Sequence, residues 1–304
     1  MTARIISGKA VSAEIRAEIA EAVRELKARG VTPGLGVLLV GDDPASRSYV
    51  TAKEKACAEA GIHSEEVRLP ATASRQEILQ VVEDFNRAES IHGILVQLPL
   101  PDSSMEDDVI SAIRPEKDVD GFHPVNVGRL LLGLPGFIPC TPHGIVQLLL
   151  RSGFAVAGRH VVIVGRSRIV GRPLANLLTS RGPLGNATVT VCHTRTRDLA
   201  RFTRQAEILV AAAGRPRLIT ADMVSEGVVV VDVGVNRVED DSRPRGYRLV
   251  GDVDFEAVKE KAAAITPVPG GVGPMTITML LYNTVVAAAA LHGLPNPLSE
   301  VPGA

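Results

Sequence analysis

Tryptophan is missing from this 304-residue chain, and the aromatic share is only 3%. Apolar residues still make up 45%, ample for a folded α/β protein whose length suggests two domains. There is no charge excess either. With 33 Lys and Arg against 34 Asp and Glu the net charge is −1, which excludes a global electrostatic pull toward nucleic acid or a membrane surface. Cysteine is scarce. Cys57, Cys140 and Cys192 lack C-x-x-C spacing and nearby paired histidines, so they read as reduced, mostly buried thiols rather than disulfides or zinc ligands, and no metal site is expected. The N-terminus, Met1 to Gly8, lacks the apolar core of a signal peptide. The most apolar segment, Ile277 to His292, is short for a bilayer span and is interrupted by Tyr282 and Asn283. Tandem repeats are absent. These absences lead to the expectation of a soluble, cytoplasmic protein without nucleic-acid or membrane partners.

What is present is an alternation of strands and helices, which argues for parallel sheets covered by helices on their faces. Val11, Ile15, Ile19, Val23 and Leu26 recur at steps of three and four, predicting an amphipathic helix from about Ser7 to Arg29, stopped by Gly30. Leu35–Val40 reads as a buried strand. It leads into a helix opened by Asp43 and Pro44 and stopped by Gly61. A strand around His63–Leu69, a helix from about Ser74 to Ala88 and a strand over Gly93–Gln97 follow, the last broken by Pro99 and Pro101. Arg114 to Pro124 is a turn-rich loop, after which a helix covers Ile145 to Leu150. A second series places strands at His160–Val164, Thr188–Cys192, Ile208–Ala212 and Val228–Val233, with helices in the three gaps. Arg237 to Arg248 reads as an exposed hairpin or loop, and a last helix runs from about Met275 to His292.

Two stretches carry the chemistry. Tyr49 and Lys53, four residues apart, share a helix face just past the C-terminal end of a strand, where α/β sheets place their sites. A lysine that acts as a base near neutral pH must be desolvated or partnered so that the free amine is favoured. Gln97, a neutral amide, can bond that amine without adding charge, and Asp120 can accept two hydrogen bonds from a heterocycle's ring N–H and exocyclic amine. The second stretch is Gly165 to Pro173, directly after an apolar strand. It has the position of a dinucleotide loop but not the G-x-G-x-x-G spacing, because its glycines are six apart. The next strand ends in His193-Thr194-Arg195-Thr196-Arg197, with no carboxylate to hold a ribose 2′-hydroxyl and with hydroxyls and guanidinium groups suited to a phosphate. This pattern predicts NADP rather than NAD.

Five signatures stand in order along the chain: Ser-x-x-Tyr-Val-x-x-Lys at 46–53, Gln-Leu-Pro-Leu-Pro at 97–101, Pro-Glu-Lys-Asp-Val-Asp-Gly at 115–121, Gly-Arg-Ser-x-Ile-Val-Gly-Arg-Pro at 165–173 and Pro-Val-Pro-Gly-Gly-Val-Gly-Pro-Met-Thr at 267–276. Together they resemble the bacterial bifunctional methylenetetrahydrofolate dehydrogenase/methenyltetrahydrofolate cyclohydrolase family over nearly the whole chain. The resemblance implies NADP-dependent oxidation of 5,10-methylenetetrahydrofolate and hydrolysis of the methenyl product to 10-formyltetrahydrofolate, within one-carbon metabolism. It implies catalytic roles for Lys53, Tyr49, Gln97 and Asp120. Folate contacts are implied from those four together with Val96, Leu98, Pro99, Pro269, Gly270, Gly273, Pro274 and Thr276. Gly165, Arg166, Ser167, Thr194 and Val235 would contact the cofactor, with Arg166 and Thr194 near its 2′-phosphate. The family often has serine where Thr194 stands, so the hydroxyl is kept and a methyl is added.

The expected architecture is two α/β domains. The catalytic, folate-binding domain takes residues 1–139 and regains 275–304; a Rossmann-like NADP-binding domain takes 140–274, and the active site is expected in the cleft between them. The family also implies a homodimer acting on tetrahydrofolate one-carbon derivatives. Two other readings stay open at this point: a dehydrogenase-only folate enzyme, and a non-catalytic NADP-binding module.

Overall fold

The computed structural model describes residues 2–243 and 246–298, with the backbone alone over 44–48. The serine that opens the first signature, Ser46, therefore has no described side chain, and 299–304 of the expected first domain lie outside the described residues. The chain divides into two compact units: 14–140 with 277–300, and 1–13 with 141–276.

The chain opens with β1 (Arg4–Ile5) and α1 (Gly8–Ala28), whose residues Val11, Ile15, Ile19, Val23 and Leu26 are all buried, as their spacing predicts. Next come β2 (Gly34–Val40), α2 (Pro44–Ala60), β3 (His63–Leu69), α3 (Arg75–Arg87) and β4 (Gly93–Val96). These three strands form a parallel sheet in the order β3-β2-β4. Every residue of the central strand β2 is buried, which is why it reads as an unbroken apolar run rather than an alternating one. Helix α3 begins with a reciprocal capping box: Ser74 Oγ accepts from the Glu77 N–H at 3.3 Å and the Glu77 carboxylate accepts from the Ser74 N–H at 2.7 Å. Its other end is closed from a distance. Lys117 Nζ donates to the carbonyls of Phe85, Asn86 and Ala88 at 3.1, 2.9 and 2.8 Å, a buried cation on the negative end of the helix dipole.

Helices α4 (Glu106–Ala112), α5 (Pro124–Leu132) and α6 (Cys140–Arg151) follow. Residues 114–123 form most of the expected loop, but α5 already starts at Pro124. His123 Nδ1 accepts from the Val125 N–H at 3.1 Å and Pro124 takes the first helical position, a local start signal that the sequence reading passed over. The helix expected over 145–150 is α6, which begins earlier, at Cys140, because Pro142 is tolerated within a first turn.

The other unit holds β5 (His160–Val164), α7 (Gly171–Thr179), β6 (Thr188–Cys192), α8 (Leu199–Thr203), β7 (Ile208–Ala211), β8 (Val229–Asp232), β9 (Asn236–Glu239), β10 (Tyr247–Val250), α9 (Phe255–Val258) and β11 (Ala264–Ile265). The helix expected between β7 and β8 is instead a single 3₁₀ turn, Ala221–Met223. β9 and β10 form the antiparallel hairpin read from Arg237–Arg248. The main sheet is parallel throughout, in the order β1-β11-β8-β7-β5-β6. Its direction of winding reverses between β5 and β7, and α/β sheets bind ligands outside the carboxyl ends at such a switch. Residues 1–13 cluster with this compact unit, where β1 pairs with β11, Arg4 opposite Ala264.

The last helix, α10 (Val272–Leu291), starts before the expected Met275, so Gly273 and Pro274 lie in its first turn. By length and composition it could cross a membrane, yet 72% of its most apolar window is buried inside the protein.

The ring of His92, 3% exposed, lies 5.1 Å from that of His292. Its Nδ1 accepts from the Gly34 N–H at 3.1 Å, and burial, with the nearby His292 and Lys117, lowers its pKa from the ordinary 6.5 to about 4. Between those values the unfolded chain binds the extra proton, so this group contributes stability at neutral pH that is lost as pH falls from 6.5 toward 4. A His92→Asn variant keeps an acceptor for Gly34 and lacks this titration. Relative to it, the wild type should lose about 1.4 kcal/mol per pH unit across that window, or ~3 kcal/mol in all. Urea unfolding of both proteins from pH 7 to pH 4 measures the difference, and parallel curves would remove His92 from the acid response.

Candidate functional site

In the first unit β2 and β4 are neighbours with Leu38 opposite Val96, so the segments leaving their carboxyl ends emerge side by side. One of them enters α2, whose face carries Tyr49 and Lys53; the other begins with Gln97, whose N–H still bonds the Leu38 carbonyl at 2.9 Å. Lys53 is only 6% exposed and its Nζ donates to Gln97 Oε1 at 2.9 Å. The Gln97 amide is itself oriented, because its Nε2 donates to the Leu98 carbonyl at 2.7 Å and so turns the oxygen toward the lysine. Tyr49 is 39% exposed, with its ring centroid 5.8 Å from Lys53 Nζ. An aromatic face open to solvent beside a buried amine can stack on a flat ligand.

Burial lowers the Lys53 pKa, and the nearby Asp120 carboxylate works against that shift. Burial conversely raises the pKa of Asp120, opposed by Lys53 and by a hydrogen bond from the Cys140 thiol. Burial thus moves the two groups toward each other, the lysine down and the carboxyl up, while their mutual attraction opposes both shifts. Val96 is buried in the core beside Leu38 and Ile94, which leaves its backbone but not its side chain for a ligand; Gln97 and Leu98 are half-buried and Pro99 is exposed.

The framework around Asp120 was missed by sequence reasoning, although its residues stood within quoted stretches. Asp118 accepts from the N–H groups of Phe122 and His123 at 3.2 and 2.8 Å and from Asn126 Nδ2 at 2.8 Å, which ties the loop to α5. Burial pushes its pKa up to about 7 in spite of those bonds. Asn283 donates to the Val119 carbonyl at 2.8 Å and the Ile138 carbonyl at 3.1 Å, and Cys140 Sγ lies 3.4 Å from the Val119 carbonyl oxygen. A polar residue interrupting the apolar run of α10 was the available signal for Asn283.

The remaining expected folate residues, Pro269, Gly270, Gly273, Pro274 and Thr276, fall in the second unit. There the Gly270 carbonyl accepts from the Lys9 N–H at 3.2 Å, and Thr276 Oγ1 lies 2.9 Å from Thr141 Oγ1.

The same unit holds a cavity of about 340 Å³ at the switch between β5 and β7, lined by Gly165, Arg166, Ser167, Thr194 and the residues following β7. Among the described residues no carboxylate lines it. A Cβ on Gly165 would fall 2.1 Å from the Ala212 carbonyl oxygen, and one on Gly171 would fall 2.2 Å from the Gly165 carbonyl oxygen. The six-residue spacing therefore follows from two close backbone approaches, one to β7 and one between the loop and the start of α7. Ser167 Oγ accepts from the N–H groups of Val170 and Gly171 at 3.1 and 3.4 Å, which shapes the turn into the helix. Arg166 and Thr194 are exposed, so a hydroxyl and a guanidinium stand open to an anion. These residues fit a phosphorylated dinucleotide. Val235 does not line this cavity; it is 54% exposed beyond β8.

Family models match both parts of the chain: "Tetrahydrofolate dehydrogenase/cyclohydrolase, catalytic domain" over residues 6–120, and "Tetrahydrofolate dehydrogenase/cyclohydrolase, NAD(P)-binding domain" over 139–292. The chain is 56% identical to the bifunctional protein FolD of Dehalococcoides mccartyi (strain CBDB1) over 97% of its own length and 99% of the relative's. Among solved structures it is similar to the FolD methylenetetrahydrofolate dehydrogenase/cyclohydrolase of Campylobacter jejuni, with a TM-score of 0.88 and 50% identity over 94% of this chain and 99% of that one. It is also similar to the Trypanosoma brucei dehydrogenase-cyclohydrolase complexed with NADP cofactor and inhibitor, with a TM-score of 0.91 and 41% identity over 96% and 99% of the two chains.

Proposed function

Because the chain belongs to the tetrahydrofolate dehydrogenase/cyclohydrolase family, we propose that Lys53 is the acid/base residue of its hydrolytic step and that Tyr49, Gln97 and Asp120 hold the substrate and tune that lysine. The enzyme oxidises 5,10-methylenetetrahydrofolate with NADP and hydrolyses the methenyl product to 10-formyltetrahydrofolate. The observation that carries the residue assignment is a buried lysine whose amine is bonded to an oriented neutral amide at 2.9 Å. In the free-base form its lone pair takes a proton from water as the oxygen adds to the cationic methenyl carbon. The ammonium so formed returns a proton to the leaving N5 as the C–N bond breaks, and the hydroxyl of the adduct gives up its proton to solvent as the formyl C=O forms. Asp120 accepts hydrogen bonds from the pterin's N–H groups, and the exposed Tyr49 stacks on the aminobenzoyl ring.

Gly165, Arg166, Ser167 and Thr194 hold the cofactor, with Arg166 and Thr194 at its 2′-phosphate, and Val235 supplies an apolar contact. When bound, NADP accepts the hydride; the protein's part is to orient the two reactants and exclude water. Pro269, Gly270, Gly273, Pro274 and Thr276 complete the folate contacts. The proposed functional domains are 1–139 with 275–304 and 140–274, except that residues 1–13 pack with the cofactor unit.

Purified enzyme given 5,10-methylenetetrahydrofolate and NADP should produce NADPH without lasting methenyl absorbance. Accumulating methenyl would leave a dehydrogenase without hydrolysis, and no NADPH would remove the catalytic reading altogether.

The pH profile discriminates further. Hydrolysis should rise with pH to a midpoint below the ordinary lysine value of 10.5. Because the Asp120 charge favours the ammonium, Asp120→Asn should move that midpoint lower still while weakening folate binding. An unchanged midpoint would separate Asp120 from Lys53.

We further propose a cytoplasmic homodimer. All three cysteines are free and buried, in keeping with a reducing compartment. β6 is the edge of its sheet, with Val191 38% exposed, and an unpaired apolar edge invites a second copy. Sedimentation equilibrium should give twice the 32.1 kDa chain mass, and Val191→Lys should shift it toward the monomer. A monomeric wild type would exclude the pairing.

A further inference from the structure

Two buried aspartates outside every assigned role stand behind the cofactor cavity. Asp252, just past β10, is fully buried, and its carboxylate collects four donors. Oδ2 accepts from the N–H groups of Ala213 and Gly214 at 2.6 and 2.8 Å, and Oδ1 from the Arg215 N–H and Asn236 Nδ2, both at 2.9 Å. Three consecutive amides converging on one anion form a nest, and here the anion is supplied by the protein itself. The strand β7 ends at Ala211, so these amides shape the turn that lines the cavity through Ala212, Ala213 and Arg215. That turn in turn seats the phosphate loop, because the Ala212 carbonyl is the atom against which Gly165 packs.

Asp232, at the end of β8 and 3% exposed, holds Asp252 in place. Its Oδ1 accepts from the Asp252 N–H at 2.9 Å and the Gly234 N–H at 3.0 Å, and its Oδ2 from the Val253 N–H at 3.0 Å. A side chain at Gly251 would collide with this arrangement, since its Cβ would lie 1.8 Å from Asp232 Oδ2. Apart from Asn236 Nδ2, both carboxylates accept from backbone N–H groups, and loss of either carboxylate leaves buried N–H groups without acceptors.

We propose that Asp252, supported by Asp232, is a positioning residue for NADP: it holds the turn after β7, and through it the phosphate loop, in the shape that accepts the cofactor. The proposal rests on the reading of the 340 Å³ cavity as the cofactor site. Asp252→Asn nearly preserves volume and exchanges one acceptor for a donor that faces backbone N–H groups.

The test is calorimetric titration of NADP into the wild type, Asp252→Asn and Arg166→Ala as full chains, together with steady-state rates of both reactions. Asp252→Asn should bind NADP about tenfold more weakly, one lost charge-assisted contact. The dehydrogenase KM for NADP should rise equally, its kcat should stay within about threefold, and hydrolysis of added methenyltetrahydrofolate, which needs no cofactor, should persist. Should that variant not fold, Asp232→Asn, which keeps the two bonds to Oδ1, must show the same split at smaller amplitude. Wild-type NADP affinity in a folded variant, or equal loss of both activities, would overturn the proposal. If Arg166→Ala also binds NADP as tightly as the wild type, the cavity is not the cofactor site and the underlying reading falls instead.

Discussion

Replacing Lys53 by methionine should lower the rate of methenyltetrahydrofolate hydrolysis by about 10³-fold, within the range contributed by a positioned acid/base group. Methionine fills most of the volume left by the buried lysine stem, so the fold should survive with a modest loss of stability. What disappears is the amine that donates to Gln97 Oε1, and with it the group proposed to remove a proton from the attacking water and return one to N5. Gln97 Oε1 is left without its 2.9 Å donor, but the amide stays anchored by the Leu98 carbonyl. Tyr49 and Asp120 keep their places, so folate should still bind, more weakly. Two measurements check this: decay of the methenyl absorbance with variant enzyme, and a folate-binding titration by fluorescence. Hydrolysis within tenfold of the wild type would take Lys53 out of the mechanism. Loss of folate binding together with hydrolysis would make it a structural residue instead.

The second large effect concerns cofactor choice. Thr194 is exposed at the end of β6, beside a cavity that no described carboxylate lines. Thr194→Asp places a negative charge where the 2′-phosphate would sit and restores the acidic residue that NAD-specific sheets use for the ribose hydroxyls. Repulsion at contact distance near a protein surface amounts to a few kcal/mol. The kcat/KM for NADP should therefore fall about 10²-fold while that for NAD holds or rises, measured at equal ionic strength because such terms are screened by salt. Hydrolysis should not respond. An unchanged NADP preference would mean that the phosphate lies elsewhere, with the exposed Arg195 and Arg197 as the next candidates.

Much of this protein was legible as sequence because the signals are local. A run such as Leu35–Val40 and a helix stripe such as Val11 to Leu26 are decided within a few residues, and each lies where its spacing puts it. The juxtaposition of Lys53 with Gln97 was readable for a related reason: both follow strands at the carboxyl edge of one parallel sheet, and short segments leaving neighbouring strands have little freedom to part. Family signatures then supplied the substrate that no periodicity contains.

Only the tertiary structure decided the rest. β1 is two residues long, too short for any period to announce, and it exists because β11 offers an open edge that places residues 1–13 with the cofactor unit. Lys117 reads in sequence as a turn residue; its meaning comes from three carbonyls at the end of α3. Nothing in the sequence singles out Asp232, inside an apolar strand, or Asp252; their meaning appears only when the fold brings the amides of Ala213, Gly214 and Arg215 onto the Asp252 carboxylate. In each case nearly all the partners are backbone groups, which every residue carries alike. Sequence specifies which side chains are able to bond, and chain topology alone selects which of the many identical amides and carbonyls they meet.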